Sequence, residues 1–78
     1  MSPTVFTNKG YRYFFFSREE SRMHVHVLCG HGEAKFWIEP VIALAQSSGM
    51  KPKELREVQK VIEEKSGEIV KAWKKHFN

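Results

Sequence analysis

Two alternating runs separated by Gly30-His31-Gly32 constrain this chain more than any other feature. They are His24-Val25-His26-Val27-Leu28-Cys29 and Glu33-Ala34-Lys35-Phe36-Trp37-Ile38-Glu39. A period of two sends successive side chains to opposite faces, so each run reads as a half-buried β-strand. The glycines between them read as a hairpin turn. One face carries Val25, Val27, Cys29, Ala34, Phe36 and Ile38. The other carries His24, His26, Leu28, Lys35, Trp37 and Glu39. Facing residues of an antiparallel pair point the same way, so paired numbers sum to an odd value. A sum of 63 makes His31-Gly32 a two-residue turn of the primed kind. It pairs Cys29 with Ala34, Val27 with Phe36 and Val25 with Ile38. Across the other face it pairs Leu28 with Lys35, His26 with Trp37 and His24 with Glu39.

A second hairpin precedes this one. Val5-Phe6 and Tyr11-Arg12-Tyr13-Phe14-Phe15-Phe16 flank Thr7-Asn8-Lys9-Gly10, which reads as a type I turn with Gly10 in the left-handed position. A polar loop, Ser17 to Arg22, joins the hairpins. Pro40 stops the last strand. Residues 41–48 fit a short helix or a further strand. Pro52 opens a helix over residues 52–77, with Leu55, Val58, Ile62, Ile69, Trp73 and Phe77 on one stripe and Ser66-Gly67 as a weak point. The expected fold is α+β, one domain over residues 1–78. An antiparallel sheet of about four strands, within residues 4–39, has one face covered by a long C-terminal helix.

With 78 residues the chain is too short for a dinucleotide-binding fold or a two-lobed enzyme. Its one cysteine, Cys29, allows no intrachain disulfide, and no apolar run reaches the roughly 20 residues that cross a bilayer. The first residues lack the layout of a signal peptide. These features point to the cytoplasm and away from the membrane. Thirteen Lys and Arg against nine Glu, with no Asp, give a net charge of +4 that is spread along the chain. Lys71, Lys74, Lys75 and His76 cluster near the C-terminus, where cations complement a helix dipole.

The absence of aspartate removes a Ser-His-Asp triad, and Gly30-His31-Gly32 is a hairpin turn rather than a phosphate-cradling loop. Cys29 reads as a small core residue. The chemistry concentrates on the strand face holding His24 and His26. Two imidazoles there suit general acid–base work on RNA, with Arg12 or Lys35 stabilising charge, which makes His24 and His26 the catalytic candidates. The same pair with Glu39 is the candidate metal set, although His-x-His alone is a weak signature. As a binding surface, His24, His26, Lys35, Trp37 and Arg12 combine stacking area with cations. As structural residues, the same side chains hold a hairpin together. Ten aromatics exceed what one helix covers, so an apolar remainder on the second face suggests a homodimer or a docked partner.

The order of Pro3-Thr4-Val5-Phe6, Tyr11-Arg12-Tyr13-Phe14-Phe15-Phe16-Ser17, His24-Val25-His26-Val27, the run from Glu33 to Pro40, Pro52-Lys53-Glu54-Leu55 and Ala72-Trp73 resembles the domain of unknown function 4160 family of small prokaryotic proteins. The resemblance covers nearly the whole chain. It departs at Arg22-Met23, where prolines are usual, and at Met50-Lys51, where a serine often caps the helix. It implies a small cytoplasmic protein, often encoded beside another small gene in a toxin–antitoxin-like arrangement, and implies no known reaction. The reading is a small binding protein of such a module that needs no cofactor. It contacts the neighbouring gene's protein, and nucleic acid, through the face bearing His24, His26 and Trp37. A histidine-dependent RNA-cleaving toxin and a metal-binding protein are the alternatives.

Overall fold

The computed structural model describes residues 4–16 and 21–77, so most of the polar loop (17–20) lies outside the described residues. Five strands form one antiparallel meander in the order β1-β2-β3-β4-β5: β1 (Thr4–Asn8), β2 (Tyr11–Phe14), β3 (His24–Cys29), β4 (Gly32–Trp37) and β5 (Ala43–Ser48). Two helices follow, α1 (Pro52–Glu64) and α2 (Ser66–His76). The α+β class and the one-sided helical cover are as expected, with one strand and one helix more.

The fifth strand is the segment that also fitted a helix. Ala43-Leu44-Ala45 has good helix propensity, but β4 presents an unpaired row of backbone donors and acceptors, and pairing with it prevails over local preference. β5 pairs Trp37 with Ala43 and Glu33 with Ser48, with a bulge that leaves Ala45 extra between Leu44 and Gln46.

The long helix is broken at Lys65, not at Gly67. Lys65 leaves helical geometry at φ −107°, ψ 16°. The joint is still spanned by Lys65 N–H donating to the Val61 carbonyl (2.9 Å) and Ile69 N–H donating to that of Lys65 (3.0 Å). The helical phase therefore survives, and Val58, Ile62, Ile69 and Trp73 all reach the core. There they meet Tyr13, Phe15, Val25, Val27, Ala34, Phe36 and Ile38 from the sheet side. Phe6 stacks on Tyr13 at 4.4 Å between ring centroids. Burial pushes the Tyr13 hydroxyl up to a pKa of about 12, so it stays a neutral phenol.

Both hairpins turn differently from expectation. The first closes at Asn8–Tyr11, leaving Lys9 (φ 50°) and Gly10 (φ 85°) as a two-residue turn with both residues left-handed. That two-residue geometry matches the twist of the flanking strands, and it replaces the expected longer loop of a type I turn followed by a left-handed glycine. The second closes at Cys29–Gly32 around Gly30-His31, so paired residues sum to 61. His24 faces Trp37, Val25 faces Phe36, His26 faces Lys35 and Val27 faces Ala34. The faces are unchanged, because a two-residue slip preserves parity.

The reason for the slip lies in β5. A Cβ on Gly32 would stand 2.6 Å from the Ser48 carbonyl oxygen and 2.7 Å from the Gly49 carbonyl carbon. Gly49, at φ 79°, would in turn drive a Cβ into the His31 carbonyl oxygen. Gly32 is thus required where the end of β5 crosses β4, and Gly30 supplies the turn. Gly32→Ala is expected to cost about 1–3 kcal/mol through overpacking, at roughly 4–8 °C of Tm per kcal/mol for a domain this size. Gly30→Ala, with nothing within 4 Å of its Cβ position, should leave Tm nearly unchanged. Equal effects in thermal denaturation would refute the assignment of roles.

Candidate binding face and its surroundings

The face of β2, β3 and β4 turned away from the helical stripe carries Arg12, Phe14, His24, His26, Leu28, Glu33, Lys35 and Trp37, with Phe16 just beyond β2. This follows from strand parity and from the pairs Arg12–Leu28, Phe14–His26, His26–Lys35 and His24–Trp37. All five residues expected to form a binding surface are on it, but not equally open. His24 is fully enclosed, while His26 retains 9% and Lys35 8% of their exposure. Trp37 and Arg12 are half-buried.

His24 is enclosed because it begins β3, where Trp73 of α2 meets it at 5.1 Å and Trp37 at 5.8 Å between ring centroids. Its Nδ1 lies 2.6 Å from the Arg22 carbonyl oxygen. A carbonyl only accepts, so Nδ1 carries the proton in this contact. His26 sits at the centre of an aromatic group. It stacks on Phe14 (5.5 Å, 27°) and meets Phe16 (4.4 Å) and His24 (5.2 Å) edge-on.

The cations of this face lie on rings. The Arg12 guanidinium is 4.6 Å above Phe14, and its Nε–H donates to Thr4 Oγ1 at 2.7 Å. Lys35 Nζ is 4.5 Å and the Arg22 guanidinium 4.1 Å from the Trp37 ring centre. Such contacts are worth about 0.5–2 kcal/mol each, more where water is excluded. They also fix where the charge is presented.

Glu39 has a different task from the one expected. Its Oε2 accepts the Met23 N–H at 2.9 Å and its carbonyl accepts Arg22 Nε–H at 2.8 Å, so it anchors the entry into β3. It faces neither histidine across the ladder. Among the described residues no three His, Cys, Asp or Glu side chains are arranged to hold a metal ion, so His24, His26 and Glu39 are not brought together as a ligand set.

Between the side chains of this face lies a groove of about 440 Å³, lined by strand residues and the adjoining Phe16, with no helix residue. Its lining comes from Arg12 and Phe14 of β2 with the adjoining Phe16, His26 and Leu28 of β3, Glu33 and Lys35 of β4, and Gln46 to Ser48 of β5. Phe16 is 43% and Leu28 41% exposed, whereas Phe14 is reduced to 7%. The apolar remainder is smaller than an aromatic count implies, because the rings and cations of this face cover one another. Phe14 and Phe16 share strand parity with Arg12, a signal that marks them as lining residues. The β5 wall had no such signal while residues 43–48 also fitted a helix.

A second cluster was not anticipated from sequence. At the other end of the sheet the turn residue His31 places Nε2 2.8 Å from Glu54 Oε2. Glu54 lies in the first turn of α1, and its Oε1 accepts the Lys51 backbone N–H at 2.8 Å. This is the glutamate half of a capping box: it satisfies the N–H of Lys51 itself, not the first-turn donors that a serine cap would accept. The Tyr11 hydroxyl donates toward Oε2 at 3.4 Å, and Cys29 Sγ lies 3.8 Å from both His31 ring nitrogens. Cys29 is therefore a half-buried neighbour of this cluster, not a plain core residue. The Tyr11 hydroxyl is raised above its ordinary pKa, first by loss of solvent and then by the Glu54 charge.

This is a one-layer meander with helices on one face and a ring-lined, cation-bearing groove on the other. Residues 10–74 match the family profile described as Domain of unknown function (DUF4160), so the chain belongs to that family. No curated protein matches it, nor does any solved structure. Among the described residues no helix is long and apolar enough to cross a membrane.

The Glu54 carboxylate is held below the ordinary range, first by the Lys51 N–H and then by His31. A depressed folded-state value contributes stability above the unfolded value, and that contribution is lost as pH falls through the folded one. Glu54→Gln should therefore be less stable than the parent at pH 6. The gap should begin to narrow as pH falls through the ordinary glutamate value of about 4.3 and close once the folded carboxylate, held lower, is protonated as well. Urea midpoints followed by circular dichroism across this pH range check this, and a gap that persists unchanged in acid would refute it.

Proposed function

We propose that this chain is a small cytoplasmic binding protein, one component of a toxin–antitoxin-like pair, and that its second sheet face is the surface it uses. One observation carries the reading. The chain covers one sheet face with its own helices and leaves on the other a concave surface where Phe16 and Leu28 stay exposed beside Arg12, His26 and Lys35. Exposed apolar side chains rimmed by polar groups are the ordinary mark of a contact surface. The partner is the protein encoded by the neighbouring gene, following the arrangement the family resemblance implies.

The geometry favours binding over histidine-dependent RNA cleavage. A two-histidine mechanism needs both imidazoles within reach of the substrate. His26 lines the groove, while His24 is fully enclosed under Trp73 and Trp37 with Nδ1–H directed to the Arg22 carbonyl.

Co-expression with the tagged product of the neighbouring gene tests the proposal. The expected result is stoichiometric co-purification that Leu28→Glu weakens at least ten-fold. Lys60→Glu, a change on the exposed side of α1, should leave it intact. A chain that elutes as a monomer without its neighbour would overturn the reading, and so would equal retention of both variants.

A further inference from the structure

We infer that β5 pairs with the β5 of a second copy of this chain, antiparallel about a two-fold axis, and so joins two sheets into one. β5 ends the sheet order, so among the described residues no strand bonds its outer edge. Alternate residues of an edge strand direct N–H and C=O groups outward, and such a row is a template for another strand.

The two edges of this sheet are not equivalent. Both edge strands carry a bulge, at Val5 in β1 and at Ala45 in β5, so that device does not separate them. Charge does. At β1, Arg12 reaches Thr4 Oγ1 at 2.7 Å, Lys65 Nζ lies 5.6 Å from the Phe6 ring centre, and Lys9 sits in the adjoining turn. Cations so placed are a common means by which edges reject a copy of themselves. β5 carries none. The chain is 28% charged, yet residues 41–50 include neither a charged side chain nor a proline.

The side chains of β5 point the same way. Leu44 faces Phe36 across the ladder and so lies on the helix side, yet it stays 43% exposed, because the helices stop short of this edge. Val41, just before the strand, is 65% exposed. The remaining side chains are small or uncharged: Ala43, Ala45, Gln46, Ser47 and Ser48. A second copy is the occupant that this composition fits. About a two-fold axis an edge meets itself, so a charge on it would lie near its like, and a neutral strand avoids that cost. A foreign strand would be chosen by opposite charge, and β5 offers none to read.

Geometry then fixes the product. Identical strands that pair antiparallel do so about an axis normal to the sheet. Both sets of helices fall on one side and both grooves on the other, with the Gln46 and Ser48 walls of the two grooves meeting at the joint. The pairing does not depend on what that face binds. Two six-residue strands make a small interface, at the low end of specific contacts, so a reversible micromolar equilibrium is expected.

Sedimentation velocity on the full chain alone, from about 1 to about 100 µM, brackets a micromolar dissociation constant and tests this. The expected species are the 9.1 kDa monomer and its dimer, with the dimer growing across the series. Leu44→Lys and Ser47→Lys, both at exposed positions, should each raise the dissociation constant about ten-fold by setting like charges near the axis. Mixing Leu44→Lys with Leu44→Glu should restore the parent's dimerisation, which a folding defect could not do. Thr7→Lys on the β1 edge and Leu28→Glu on the second face should leave it unchanged. A monomer at every concentration would overturn the proposal. So would a dimer that both β5 lysines leave intact, or one that Thr7→Lys or Leu28→Glu disperses. A chain that does not self-associate but loses its neighbouring protein on Leu44→Lys would show a foreign strand on this edge, and the second copy would be ruled out. Self-association and capture of the neighbour are separate readouts. A monomer that still binds its neighbour through Leu28 leaves the reading of the face standing, and a dimer that captures no neighbour removes that reading alone.

Discussion

The sheet of this protein has two faces, and the chain owns a single helical stripe to cover them. The rest of the structure depends on that shortage. Val58, Ile62, Ile69 and Trp73 bury Tyr13, Phe36 and the valines of β3 on one side. The break at Lys65 does not waste the stripe, because hydrogen bonds from Lys65 to Val61 and from Ile69 to Lys65 keep the two helices in phase. Apart from Trp73 closing over His24 at one end, no described helix residue lies on the other face, so the side chains there shelter each other. Phe14 lies under Arg12, with His26 and Phe16 against its ring, and Trp37 lies under Lys35 and Arg22. Aromatic and cationic groups suit this work, since a ring accepts both a second ring and a cation without leaving a polar atom dry.

A second constraint acts at the end of the sheet. Gly32 and Gly49 approach so closely that neither position admits a β-carbon without displacing backbone. That contact sets where β5 ends. With the Cys29–Gly32 pair it places His31 in the turn, close to the first helical turn of α1. The His31–Glu54 contact and the Lys51 N–H bond to the same carboxylate then tie turn and helix start together. One carboxylate thus acts as helix cap, hydrogen-bond acceptor for Tyr11 and partner of the turn histidine.

Much of the architecture was legible in the residues. The alternation in His24 to Cys29 and Glu33 to Trp37 identifies the central hairpin and assigns those side chains to the correct faces, because parity is insensitive to a two-residue slip. The helical stripe was equally clear, since Leu55 to Trp73 spans five whole turns. The choice between Gly30 and Gly32 for the turn was not legible, because it rests on what β5 places against Gly32. Nor was the nature of residues 43–48, where local propensity and the demand of an open sheet edge disagree.

The site divides in the same way. The sequence by itself determined which residues share the second face, since strand parity is a local property of the backbone. It also determined that one helical stripe would leave that face to the strands. Tertiary structure alone decided which of those residues are open. His24 and His26 are two residues apart and chemically identical, yet Trp73, some fifty positions later, closes over one while the other borders a groove. Spacing along a strand fixes direction, but accessibility depends on what distant segments bring alongside, and for His24 that segment is the last helix.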